Sequence, residues 1–181
     1  VDDRHPAGTR VPRLSLARAE PRADERGRQG GEQSQHRERP MHRFDPARDF
    51  MLGGGSNVVF ATDVPGTVYH NAILGRAVVE DGADHGLLEV GAGENWHGLV
   101  RWTLEHGYSG LENLSLIPGL SGAAPLQNIG AYGVELASVL ERVTAWDWQR
   151  CTWASFSRED CRLAYRDSLF KQEGWHLSGR M

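Results

Sequence analysis

The sequence has no apolar run approaching the roughly 20 residues that a membrane-spanning helix needs. Its first residues are charged and proline-rich, which is unlike a secretory signal peptide. It has two cysteines in 181 residues, Cys151 and Cys161, whose spacing fits neither a metal site nor a redox pair. We therefore predict reduced thiols, no metal and a cytoplasmic location. A net charge of −4 argues against nucleic acid or a membrane surface as a partner.

Residues 1–49 lack isoleucine, tryptophan, tyrosine and lysine, and they have few large aliphatic side chains. They carry eleven of the chain's nineteen arginines, interleaved with nine acidic residues. A segment of this composition buries too little apolar surface to offset the entropy that ordering costs. We predict disorder for residues 1–49, arising either from a frame error in a GC-rich coding region or from a genuine disordered extension.

Residues 116–133 are rich in glycine, alanine and proline, yet apolar rather than linker-like. Glycine allows close approach of the backbone, alanine keeps a surface thin, and Gln127, Asn128 and Tyr132 can fix the orientation of a ligand. The composition therefore predicts a backbone surface against a large flat ligand. The alternative is a tightly packed turn between core strands.

A second loop, residues 53–57, places three glycines before a serine and an asparagine. Consecutive backbone N–H groups in a glycine turn form a concavity that binds anions, which suits a phosphate or pyrophosphate. The loop has neither the dinucleotide-binding nor the Walker spacing. The apolar residues Val58, Val59 and Phe60 predict a strand after this loop. A hairpin turn is the alternative interpretation of the loop itself.

The remaining pattern predicts an α+β fold with mainly antiparallel strands and short helices. Apolar spacing from Trp96 predicts a helix that ends near Gly107. Alternation predicts strands at 87–90, 139–148 and 151–156, and Ser157 with Asp160 predicts a short capped turn.

Six segments occur in one order with one rough spacing: GGGSNVVF (53–60), VGAGENW (90–96), GLENL (110–114), IPG (117–119), QNIGAYG (127–133) and YRDSLFK (165–171). Together they resemble the UDP-N-acetylenolpyruvoylglucosamine reductases, the MurB family of flavoenzymes. The resemblance covers about residues 51–172. The QNIGAYG and YRDS segments narrow it to the reductases within a wider group of FAD-binding proteins.

The resemblance implies a partial FAD-binding domain of the MurB and vanillyl-alcohol-oxidase type over residues 50–172. Residues 173–181 would be an unstructured tail. The family also has a C-terminal substrate domain, which supplies a proton-donating serine and a catalytic glutamate. Nothing here resembles that domain, so we expect a fragment that is inactive by itself.

For the family, the implied reaction is the FAD-dependent reduction of UDP-N-acetylenolpyruvoylglucosamine to UDP-N-acetylmuramate, driven by NADPH, in peptidoglycan precursor synthesis. The implied partner is a small UDP-sugar, and we expect a monomer. Two alternatives stay open at this point. One is another FAD-dependent oxidoreductase of the same fold, and the other is a non-catalytic remnant.

By resemblance, Arg166 is the catalytic residue, because a guanidinium suits the charge that develops beside a substrate carboxylate. Tyr165 and Arg166 would bind the substrate. Ala123 and Ala124 stand where many family members have serines, which removes possible hydroxyl donors. The residues implied to bind FAD are Gly53, Gly54, Gly55, Ser56, Asn57, Ile117, Pro118, Gly119, Gly122, Ala123, Ala124, Gly130, Ala131, Tyr132 and Gly133.

Overall fold

A computed structural model describes residues 10–17, 44–45, 47–148 and 150–174. Its strands are β1 (Val11–Ala17), β2 (Phe50–Leu52), β3 (Val68–His70), β4 (Arg76–Asp81), β5 (His85–Gly91), β6 (Gly130–Ala131), β7 (Val134–Glu135), β8 (Leu140–Asp147) and β9 (Thr152–Ser157). Its α-helices are α1 (Trp96–Glu105) and α2 (Leu169–Gln172). Among the residues described, short 3₁₀ helices cover Glu112–Leu114, Ser121–Gln127 and Leu136–Ser138.

In the part of the chain that the structure describes, the main sheet has five strands in the order β4-β5-β1-β8-β9. The central strand β1 runs parallel to both of its neighbours, while β4 and β9 are antiparallel edges. The separate pair β2-β3 is also parallel, and β6-β7 is an antiparallel hairpin. The α+β class is confirmed, but the expectation of mainly antiparallel strands is wrong, because a strand from far upstream inserts into the middle of the sheet.

The prediction of disorder for residues 1–49 is wrong for residues 10–17, which form β1 and the bridge before it. Leu14 is fully buried and Leu16 is 3% exposed, and both lie in the main hydrophobic core. The average composition of residues 1–49 is polar, but residues 14–17 locally alternate leucine with a small residue, a pattern that fits a central strand. Most of the remainder of that interval, together with residues 175–181 of the predicted tail, lies outside the described residues.

A cluster of three side chains fixes the start of β1. The Tyr108 hydroxyl donates to the Asp81 carboxylate at 2.9 Å, Arg10 pairs with the same carboxylate, and the Arg10 guanidinium lies 4.7 Å from the centre of the Tyr108 ring. The Tyr108 and Arg10 hydrogen bonds lower the pKa of Asp81. Burial and the Asp81 carboxylate raise the pKa of Tyr108. The cluster joins β1 to β4 and to the end of α1.

The predicted helix is confirmed as α1, which packs one face on the sheet. Asn95 caps it by accepting a hydrogen bond from the Gly98 N–H at 2.8 Å. Buried Leu99 and Val100 join the core, and the indole N–H of Trp96 donates to the Leu114 carbonyl at 2.8 Å. This packing places the start of α1 beside the long glycine-rich segment.

The strands predicted near residues 87–90, 139–148 and 151–156 are confirmed as β5, β8 and β9. Ser157 and Asp160 form the predicted capped turn, since the Asp160 carboxylate accepts from both the backbone N–H and the hydroxyl of Ser157. The strand predicted at 58–60 is wrong, because those residues are irregular and exposed.

Candidate functional site

The fold brings the two predicted glycine-rich segments into contact. A Cβ built on Gly54 would lie 3.2 Å from the Gly119 Cα, and a Cβ on Gly53 would lie 3.8 Å from the Ala123 Cβ. A Cβ on Gly119 would in turn lie 3.3 Å from the Ser56 Oγ. A side chain at Gly54 would press on the Gly119 backbone, so the small size of Gly54 is what allows the two backbones to approach there, whereas a Cβ on Gly53 would make an ordinary contact.

We call residues 53–57 the open rim. Their backbone N–H groups donate to no residue that the structure describes, and the side chains of Ser56 and Asn57 are exposed and equally without a described partner. Gly55 has φ +69°, and a Cβ there would meet nothing within 4 Å. Unpaired N–H groups at a glycine turn are the donor set that an anion such as a pyrophosphate uses. The residues therefore fit the phosphate group for which the sequence suggested them.

The opposite segment is tied to the β5–α1 connection. The Trp96 N–H donates to the Gly119 carbonyl at 3.1 Å, and the Gly122 N–H donates to the Ala92 carbonyl at 2.9 Å. Ala123 is exposed and faces Gly53, whereas Ala124 is 3% exposed within the core. Of the predicted cofactor residues 122–124, Ala123 is therefore the one whose side chain can face a ligand.

The connection itself rests on an ion pair between the buried Glu94 and the partly buried Arg76. The Glu94 carboxylate lies 2.6 Å from an Arg76 guanidinium nitrogen and accepts from the Gly75 N–H at 2.8 Å. The Glu94 carbonyl accepts from the Ser121 N–H at 2.8 Å. Hydrogen-bonded buried charges of this kind fix one geometry. Glu94 thereby anchors the start of the 3₁₀ helix Ser121–Gln127.

The β6-β7 hairpin turns at Tyr132 and Gly133. Both residues have positive φ, +51° and +80°, which is the pattern of a type I′ turn. Glycine or asparagine suits these positions, so a tyrosine there is strained. The Tyr132 side chain is 89% exposed, so nothing in its own packing explains the choice. Strain of this sort concentrates at functional sites.

Arg166 lies at the tip of a second tight turn. Ala164 and Asp167 exchange two backbone hydrogen bonds of 3.0 Å, and Arg166 has φ +53° between them. Its guanidinium donates to the Gly130 carbonyl at 3.0 Å, which places it beside the β6-β7 hairpin. Tyr165, at the same tip, is 82% exposed. The two predicted substrate residues therefore stand next to the predicted flavin residues 130–133.

We call residues 130–133 and 164–167 together the braced rim, because two buried side chains join its parts. The Asn128 amide donates to the Glu135 carboxylate at 2.8 Å and to the Ala164 carbonyl at 3.0 Å. The Ser168 hydroxyl donates to the Leu126 carbonyl at 2.6 Å and caps α2. Asn128 was proposed from the sequence as a ligand-orienting group, but it is 1% exposed and points into the protein.

Two residues that contact this site, Lys171 and Gln172, were not predicted from the sequence. Lys171 donates from Nζ to the Arg166 carbonyl at 2.8 Å, and Gln172 donates to the Asp167 carboxylate at 2.7 Å. The Gln172 amide and the Ser168 N–H lower the pKa of Asp167. Both contacts run over five residues, a spacing at which a short helix folds back on the turn before it. The YRDSLFK segment contained this spacing for Lys171, and Gln172 lies one residue beyond it.

Within the described residues, no three histidine, cysteine or carboxylate side chains are grouped as a metal site would require. None of the helices found there has the length and apolar character that a membrane crossing requires. Both cysteines are free, and Cys161 is buried.

A family described as an FAD binding domain matches residues 48–150. Over 132 residues the chain is 58% identical to the UDP-N-acetylenolpyruvoylglucosamine reductase of Dechloromonas aromatica, covering 73% of this chain and 39% of that protein. The reductase of the same name from Pseudomonas aeruginosa is 56% identical over 68% of this chain and 36% of its own length. The chain thus spans 36–39% of these relatives.

The fold is similar to the crystal structure of UDP-N-acetylenolpyruvylglucosamine reductase (MurB) from Thermus caldophilus. The TM-score is 0.50 at 28% identity, and the match covers 67% of this chain and 43% of that one. These matches confirm the family resemblance and the fold type drawn from the sequence motifs.

Proposed function

Because the chain belongs to the FAD-binding domain family, we propose that its two rims together hold FAD. The observation that carries this proposal is the set of backbone N–H groups at residues 53–57, which donate to no residue in the described part of the chain and approach Gly119 through Gly54 and Ser56. In this proposal the open rim holds the pyrophosphate. Residues 117–119 and Ala123 flank it, and residues 130–133 lie along the isoalloxazine.

We further propose that the segment serves the reaction for which its relatives are named, the NADPH-driven reduction of an enolpyruvyl UDP-sugar. Bound FAD would supply the hydride transfer. Arg166 would bind the substrate carboxylate and stabilise the negative charge that develops beside it, as a fixed guanidinium can. Tyr165 and Tyr132, both exposed at the same rim, would contact the substrate or the flavin.

A polypeptide of these 181 residues alone would bind the cofactor without turning over. The matched segment makes up only 36–39% of the relatives' length, and the proton donor of the reaction would come from the part beyond it. We propose that the segment acts as a monomer in the cytoplasm, with a small UDP-sugar as partner.

The test is a titration of FAD with the purified chain, followed by flavin fluorescence. We expect saturable quenching with a Kd of about 100 µM, or about −5.5 kcal/mol, because one rim is preformed and the other is not. Gly54→Val should weaken binding at least about tenfold, or about 1.4 kcal/mol, since its Cβ would meet Gly119.

Gly174→Ala is the control for backbone strain without a clash, because φ there is +62°, its Cβ would meet nothing within 4 Å and it lies outside both rims. It should bind FAD as the parent does. No saturable quenching by the parent at millimolar FAD would contradict the cofactor proposal and favour a non-catalytic remnant. Arg166→Lys should leave FAD binding unchanged, because the role of Arg166 concerns the substrate.

A further inference from the structure

The Arg166 turn holds a non-glycine residue in the left-handed region on the protein surface. Such a conformation costs about 1 kcal/mol or more and persists only where surrounding contacts over-determine it. The guanidinium contact to Gly130 fixes the end of the side chain. It leaves open what fixes the backbone of Arg166 itself.

We propose that Lys171 is a positioning residue for Arg166, holding the Arg166 carbonyl so that the guanidinium stays on the β6-β7 hairpin. The Lys171 ammonium reaches that carbonyl at 2.8 Å from the last turn of α2. It is the only lysine in the chain. The Lys171 ammonium donates to Arg166 itself. The amides of Asn128 and Gln172 donate instead to its neighbours Ala164 and Asp167.

Ser168 prepares this contact. Its hydroxyl caps α2 and also donates to the Leu126 carbonyl, so α2 is fixed against the long loop. From that fixed helix, a lysine three residues further on reaches back over the turn. A charged donor strengthens the hydrogen bond to a carbonyl. The brace therefore runs from the core, through α2 and Lys171, to the backbone of Arg166.

Arg162 provides an internal reference for the test. It also has a left-handed backbone, with φ +47°, and an exposed guanidinium, but its carbonyl receives no lysine. Modification by phenylglyoxal, which reacts with accessible guanidinium groups, can be followed at Arg166 and Arg162 by peptide mass spectrometry. No flavin or substrate is needed, so the result is independent of the cofactor titration.

Lys171→Met should raise the modification rate of Arg166 about fivefold, the size expected for one lost net hydrogen bond, and leave Arg162 unchanged. Lys171→Arg should stay near the parent, because arginine also donates to a carbonyl. Gln172→Met, which removes the 2.7 Å contact to Asp167 instead, should also stay near the parent. An unchanged Arg166 rate in Lys171→Met, or an equal rise at both arginines, would overturn the proposal.

A second measurement tests whether Lys171 holds the left-handed backbone of Arg166 or only adds a contact on the surface. Lys171→Met should lower the urea midpoint of the parent more than that of Arg166→Gly, because glycine accepts the left-handed backbone without help. Equal shifts in the two backgrounds would overturn the proposal. The consequence for catalysis rests on the proposed role of Arg166, whereas both measurements test the contact alone.

Discussion

The open rim and the braced rim face the same proposed ligand but are held in opposite ways. Residues 53–57 extend from the short β2-β3 pair, and their N–H groups donate to no described residue. The braced rim is tied by the side chains of Asn128, Ser168 and Lys171. One rim has donors without partners, and the other has strained residues with many partners.

The difference indicates that the two rims serve different functions. Free N–H groups are what an anion needs, and the anion can supply the order that the open rim lacks. A guanidinium that must meet developing charge works best when it is already in place. The braced rim is therefore suited to chemistry, and the open rim to cofactor capture.

The largest effect should come from the central strand of the main sheet. Leu14 is fully buried in β1 at the centre of the sheet. Leu14→Ala should cost about 3–4 kcal/mol of unfolding free energy, measured by urea denaturation, as for other buried leucines. Arg13→Ala, at an exposed position of the same strand, should change it by less than about 0.5 kcal/mol. Equal, small effects would mean that β1 is not part of the core.

The second-largest loss of unfolding free energy should come from the braced rim. Asn128→Ala removes hydrogen bonds to Glu135, Ala164 and Ala137, so we expect a loss of about 3 kcal/mol in the same assay. Asn57→Ala in the open rim should leave the unfolding free energy within about 0.5 kcal/mol, because its side chain has no described partner. If both asparagines cost the same, the two rims are not held differently.

The sequence predicted the parts of this site better than their arrangement. The α1 helix follows from apolar spacing and from Gly107 as its end, and the glycine segments follow from composition. The parallel pairing of β1 did not, because it joins residues far apart in sequence and the surrounding arginines hide a short alternation. The meeting of Arg166 with Gly130 also depends on three-dimensional register. Only the resemblance suggested that these two residues share a site.

An alkaline titration would sharpen the comparison, because Cys161 lies beneath the braced rim. Its carbonyl accepts from the Leu169 N–H at 2.8 Å, and burial, with help from Asp160 and Glu159, raises the pKa of its thiol to about 12. An unfolded thiol titrates near about 8.5. The folded chain thus holds this proton more tightly, and stability is complete below about pH 8.5 and falls as the pH rises towards 12.

The parent should therefore lose about 2 kcal/mol more than Cys161→Ala between pH 8.5 and 10, at about 1.4 kcal/mol per pH unit. Urea denaturation at each pH measures this difference. Cys151→Ala, at an exposed thiol, should follow the parent. Parallel pH profiles for the parent and Cys161→Ala would show that the region under the braced rim opens readily.

The smallest effect gives the most direct test of the two rims, because the same change can be made in each. Gly133 and Gly55 both have positive φ, +80° and +69°, and a Cβ on either meets nothing within 4 Å. Alanine therefore adds backbone strain and no clash, about 1 kcal/mol where the turn cannot relax. Gly133→Ala should lose that amount of unfolding free energy, because the hairpin is fixed by Arg166 and by its own pairing.

Gly55→Ala should lose less than about 0.3 kcal/mol without ligand, because the open rim can relax. Its strain should appear instead as about fivefold weaker FAD binding, since the ligand requires the strained conformation. Equal losses of stability without FAD would show that the open rim is as rigid as the braced one.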